Sequence, residues 1–240
     1  MEHEEVPVGI VGGLDIHRRQ ITFDYLDTAT GELSRGKIVP ADREHVRSWL
    51  ARFAEQRDVA LALEGCTGWR FVVEELKQAG VEAHLAEPAD TAKERGRKQR
   101  AKTDRADARL QRELLAAGRL PESWIPPGHV LEVRTKVRLY KALADERKGW
   151  MQRIHATLFH QGVPGLACHL LDFDGQAHLD KAELNPAGRQ LVEVALRQID
   201  HLEAELSRLR TELVAFGRRQ VGCRAIQSHY GIGALLSVAI

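Results

Sequence analysis

Residues 8–39 read VGIVGGLDIHRRQITFDYLDTATGELSRGKIV. The run VGIVGGLDI is apolar up to Asp15 near its end and short enough for a strand buried on both faces. QITFDYL is a second strand, separated from the first only by HRR. Gly31 sits at a turn position in DTATGEL, and RGKIV supplies a third strand, so the stretch predicts an antiparallel meander. The period then changes. Asp42 is placed to N-cap a helix whose Val46, Trp49, Leu50 and Phe53 recur at i, i+3, i+4 and i+7.

VALALE (59–64) suits a buried parallel strand. A second helix begins at Thr67, with Trp69, Val72, Val73 and Leu76 inward and Gly80 at its C′ position. VEAHLA (81–86) is a fifth strand, and a third helix follows Thr103. Three strands, helix, strand, helix, strand, helix is the order of an α/β, ribonuclease H-like domain, expected over residues 1–118. Three prolines in RLPESWIPPGH mark residues 119–128 as a linker. An α-helical coiled-coil region is expected over 129–219, built from a long polar helix at 130–161, an irregular stretch at 163–187 and a second long helix from Leu191. In the last, Ile199, Leu202, Leu206, Leu209, Leu213 and Phe216 alternate in steps of three and four, a short heptad seam. Such a seam needs an antiparallel partner, either the 130–161 helix or the same helix of another subunit.

Bulk composition narrows the function classes. With 43% hydrophobic and 29% charged residues, the chain has neither a membrane protein's nor a disordered protein's make-up. No apolar run reaches the roughly 18 residues of a membrane span. The acidic N-terminus does not read as a signal peptide, and Cys66, Cys168 and Cys223 form neither a zinc spacing nor an even disulfide framework, so a reduced cytoplasmic protein is expected. Net charge is only +1, yet between Lys93 and Arg112 nine Lys or Arg face three acids. A local cationic stripe in a neutral chain suits phosphate contact.

Four acids stand out against this frame. Asp15 ends the first strand and Glu64 the fourth. Asp104 and Asp107 open the helix after Thr103, and Asp107, Leu110 and Leu114 share an i, i+3, i+7 stripe that would pack on the sheet. Each acid alone has an ordinary explanation, as a turn residue or as a partner of a helix dipole. Jointly they fall at one edge of the predicted sheet, where like charges repel and burial worsens the repulsion. A hard divalent cation, Mg²⁺ or Mn²⁺, relieves both and can act on a phosphodiester. Arg95, Arg97, Lys98, Arg100, Lys102 and Arg105 are the expected contacts to a nucleic-acid backbone. His17 reads as structural, and Cys66 and Trp69 as packing.

The blocks GLDIH, LEGCTGW and LAEPADTAKERGRKQRAKTDRADA, followed by LP and a Trp-x-Pro, resemble the DEDD transposases, the insertion-sequence family that includes the Piv and MooV DNA invertases. The resemblance covers residues 8 to about 127 and extends into the helical middle. It implies a RuvC-like domain over residues 1–118 whose Asp15, Glu64, Asp104 and Asp107 bind divalent metal and act catalytically in DNA transposition and recombination. It also implies a structured guide RNA, oligomers with composite sites, and a C-terminal transposase domain carrying a serine nucleophile. CRAIQSHYGIGALLSVAI (223–240) resembles the start of that last domain, without the serine motif. The expectation is therefore a truncated transposase, recombination-incompetent alone, with residues 220–240 as the start of the C-terminal domain. The alternatives are a metal-dependent nuclease of branched DNA and a non-catalytic nucleic-acid-binding remnant. A sugar-kinase-like ATPase is disfavoured because HRR stands where a Gly-rich phosphate loop is needed.

Overall fold

The computed structural model describes residues 9–94, 103–164 and 170–240. The chain divides into two compact units, Met1–Ile125 and Pro126–Ile240.

In the first unit, β1 (Ile10–Ile16), β2 (Ile21–Asp27) and β3 (Leu33–Ile38) form the meander, with Gly31 at φ +74° in the turn, where a Cβ would be strained. Next come α1 (Arg43–Leu50), β4 (Val59–Glu64), α2 (Trp69–Gln78), β5 (Glu82–Ala86), α3 (Pro88–Glu94) and α4 (Asp104–Ala116). The sheet order is β3-β2-β1-β4-β5, with β1, β2 and β3 antiparallel and β4 and β5 parallel to β1. This is the ribonuclease H-like arrangement. Asp42 caps α1, its carboxylate accepting from the His45 amide.

Strand alternation sorts the side chains onto two faces. Ile10, Leu14, Ile16, Leu61 and Leu63 join α1 and α2 in the main core, which also holds Phe23, Trp49, Val72 and Leu76. The opposite face is lined by Val11, Ala60 and Ala62 and packs on Leu115 of α4. It is built from small residues because α4 lies very close. A Cβ on Gly13 would stand 2.1 Å from the Ala108 carbonyl oxygen.

That close approach corrects the stripe expected for α4. The helix buries Asp107, Ala108, Gln111, Arg112, Leu114 and Leu115, while Leu110 is only half-buried. Ala108 over Gly13 sets the rotation, and a buried ion pair from Arg112 Nε to Asp24 Oδ1 (2.5 Å) holds it. Residues 121–123 run along the outer edge of β5. The Glu87 amide donates to the Pro121 carbonyl and the Ser123 amide to the Leu85 carbonyl. The first unit therefore continues beyond Gly118.

The second unit contains α5 (Gly128–His160), α6 (Phe173–Lys181) and α7 (Pro186–Arg219). Lys136 donates to Glu212 (2.7 Å) and Arg147 to Glu203 (2.9 Å), while Gln161 meets Asn185, so α5 and α7 run antiparallel. Ile154 and Leu158 of α5 pack in one core with Val192, Ala195 and Ile199 of α7 and with Leu179 of α6. Of the expected seam, Ile199, Leu202, Leu209 and Leu213 are buried, whereas Leu206 and Phe216 are half-buried. Among the described residues no helix is long and apolar enough to cross a membrane.

Candidate metal centre

Alternation within the strands decides where the acids point. Asp15 shares its parity with Val11 and Gly13, so it projects on the α4 side of β1. Glu64 shares parity with Ala60 and Ala62 and projects from the end of β4 onto the same side. Thr103 begins α4 as its N-cap, its hydroxyl oxygen accepting from the Ala106 amide at 3.2 Å. That cap sets Asp104 and Asp107 in the first turn, where unpaired amides and the helix dipole favour negative charge. Asp107 is buried and Asp104 half-buried.

The turn between β1 and β2 reaches Asp15 and Asp104. His17 Nε2 lies 3.2 Å from Asp15 Oδ2 and 3.4 Å from Asp104 Oδ1. Gln20 Nε2 donates to Asp104 Oδ2 at 2.8 Å, and Lys37 Nζ donates to Gln20 Oε1 at 3.0 Å.

Asp15 feels all of its neighbours. Burial pushes its carboxyl up to about 6, the charges of Asp107, Asp104 and Glu64 push the same way, and His17 opposes them. Asp15 Oδ2 is buried and accepts no hydrogen bond among the described residues. The His17 nitrogen is within ion-pair reach of that oxygen but off the hydrogen-bond direction. Donor atoms of Asp15, His17 and Asp104 all lie within 4.8 Å of one another. A buried acceptor without a donor, amid acids that destabilise each other's charge, fits a divalent cation in both charge and ligand type.

Two features were not read from the sequence. His17 lies two residues after Asp15 and so continues the alternation of β1 onto the acid face, a signal that was available. The Asp24–Arg112 pair is the second. Arg112 is buried, so it is not part of a solvent-facing cationic stripe. Lys93 is likewise paired with Asp90, and Arg109 with Glu113. Arg105 is exposed in the first turn of α4, while Arg95, Arg97, Lys98, Arg100 and Lys102 lie outside the described residues. The Cys66 thiol, which donates to the Ile16 carbonyl at 3.7 Å, is pushed up by burial and then by Asp15, so it stays protonated. Its role as packing stands.

Comparison with known proteins gives three likenesses. A sequence model of DEDD transposases of the IS110 group, described as Transposase, matches residues 12–160. A protein of Sinorhizobium fredii, provisionally named transposase y4rJ, is 32% identical over 169 residues. That alignment takes in 63% of this chain and 42% of the relative, so the chain spans less than half of the relative's length. The Thermus thermophilus RuvC structure aligns with 48% of this chain and 99% of its own, at 17% identity and a TM-score of 0.33.

Proposed function

This chain belongs to the DEDD transposase family, and from that premise we propose that its first unit engages DNA through a divalent cation held by Asp15, Glu64, Asp104 and Asp107. The observation that carries the proposal is a buried Asp15 oxygen that accepts no hydrogen bond among the described residues, with an Asp104 oxygen within 4.8 Å and the charges of Asp107, Asp104 and Glu64 all acting on it. The ion is Mg²⁺ or Mn²⁺, as oxygen ligands favour. When bound, such an ion polarises a phosphodiester and stabilises charge on its oxygens.

The remaining work falls to the protein. Two acids come from strand ends and two from one helical turn, so the sheet and α4 hold the donor oxygens without loop motion. Gln20, steadied by Lys37, orients the Asp104 carboxylate. Arg105 beside the acids, with Arg95, Arg97, Lys98, Arg100 and Lys102 in the preceding segment, meets the phosphates flanking the reacting one. The same reading includes a structured guide RNA, self-association through the α5–α7 pair, and action in the cytoplasm in DNA transposition and recombination. Family resemblance supports these last features.

DNA binding followed by fluorescence anisotropy tests the proposal. The expected result is a complex of the full chain with duplex or branched DNA that strengthens on adding Mn²⁺ and loses that gain in Asp107→Asn. DNA affinity that ignores both the cation and the substitution would refute it.

A further inference from the structure

We infer that His17 is itself a ligand of the bound cation, making the centre a mixed nitrogen–oxygen site that prefers Mn²⁺ to Mg²⁺. The inference rests on the metal reading above and adds to it a residue outside the acid tetrad.

Three atoms carry it. Gln20 occupies Asp104 Oδ2, which leaves Oδ1 as the oxygen facing His17. Asp15 Oδ2 is the buried oxygen without a hydrogen bond, and it faces the same imidazole nitrogen. His17 Nε2 thus stands 3.2 Å from the Asp15 oxygen and 3.4 Å from the Asp104 oxygen. Adjacent ligands of an octahedral ion with bonds of about 2.2 Å stand about 3.1 Å apart, so these spacings suit cis positions on one ion. The turn is braced for this: Ile16, next to His17, is buried, and Gln20 ties the turn's far end to α4 and, through Lys37, to β3.

The nitrogen donor sets the metal preference. Mg²⁺ takes oxygen ligands and keeps water in preference to imidazole, whereas imidazole suits transition-metal cations. A site of carboxylates alone would carry a smaller bias.

A simpler role for His17 makes the opposite forecast. If its imidazole only offsets the acids' charge, it competes with the cation, and removing it tightens metal binding. If it is a ligand, removing it weakens binding, and more for Mn²⁺ than for Mg²⁺. The side chain is 55% exposed, so the substitution leaves the core intact.

The experiment uses the full chain, titrated with Mn²⁺ and with Mg²⁺ by calorimetry, and pulsed electron paramagnetic resonance of the Mn²⁺ complex. Wild type is expected to show nitrogen hyperfine coupling from a coordinated imidazole. His17→Ala is expected to lose that coupling and about tenfold or more in Mn²⁺ affinity, with a smaller loss for Mg²⁺. The variant assigns the signal to His17 among the chain's 11 histidines. Mn²⁺ binding by wild type without nitrogen coupling, or equal or tighter Mn²⁺ binding by His17→Ala, overturns the inference and leaves the acid site standing. Absence of Mn²⁺ binding by wild type overturns the acid site and the inference together.

Discussion

In the metal-free chain, Asp15→Asn is expected to stabilise the first unit at neutral pH. The wild-type carboxyl is held at about 6 against an ordinary value of 3.8, chiefly by burial and then by the charges of Asp107, Asp104 and Glu64. At 1.36 kcal/mol per tenfold change in proton affinity, that difference corresponds to about 3 kcal/mol, and solvent at the site's mouth brings the expected gain nearer to about 2 kcal/mol. The sign follows from which state holds the proton. Below about pH 3 both folded and unfolded chains carry a protonated Asp15, and the substitution gains nothing through charge. As pH rises towards 6 the unfolded chain ionises freely while the folded chain resists, so wild-type stability falls across that window and the variant's does not. Above it the difference is constant. Urea denaturation in chelator at pH 4, 5, 6 and 8 measures this directly. A variant less stable than wild type at pH 8, or a difference that does not change between pH 4 and 6, refutes the electrostatic account of the site. Adding Mn²⁺ should then reverse the order, because only wild type keeps the full ligand set.

Other substitutions probe what positions the acids. Arg112→Ala removes a buried partner of Asp24 and should cost about 3 kcal/mol in urea unfolding, at the low end for a broken buried pair because Arg35 still reaches Asp24 at 2.7 Å. Gly13→Ala sets a methyl against the Ala108 carbonyl, so it should destabilise by about 1–3 kcal/mol and weaken Mn²⁺ binding by shifting α4. Leucine at the same position should be worse. Ile199→Ala opens a cavity in the second unit and should lower its melting transition by about 2–5 kcal/mol of stability while Mn²⁺ binding stays unchanged.

Much of this architecture was legible because its signals are local. The meander from Ile10 to Ile38 shows in strand alternation and in Gly31, α1 and α4 are announced by Asp42 and Thr103, and the order of elements then fixes the sheet. Placing Asp15 and Glu64 on one side needs only the period of two. The rotation of α4 was not legible in the same way. It depends on Gly13 meeting Ala108 and on Asp24 reaching Arg112, contacts far apart in sequence between residues with no periodic mark. For the same reason Arg112 was counted among solvent-facing cations when it is a buried partner. His17 had a local signal, its parity with Asp15, but a histidine after a strand is so often structural that only its distances to two acids distinguish it.

The central claim is that four acids form one cation site, and calorimetric titration of the full chain with Mn²⁺ tests it most directly. Wild type should bind, and Asp15→Asn, Glu64→Gln, Asp104→Asn and Asp107→Asn should each bind about tenfold or more weakly while remaining folded by circular dichroism. Wild-type affinity retained in all four variants would contradict the account.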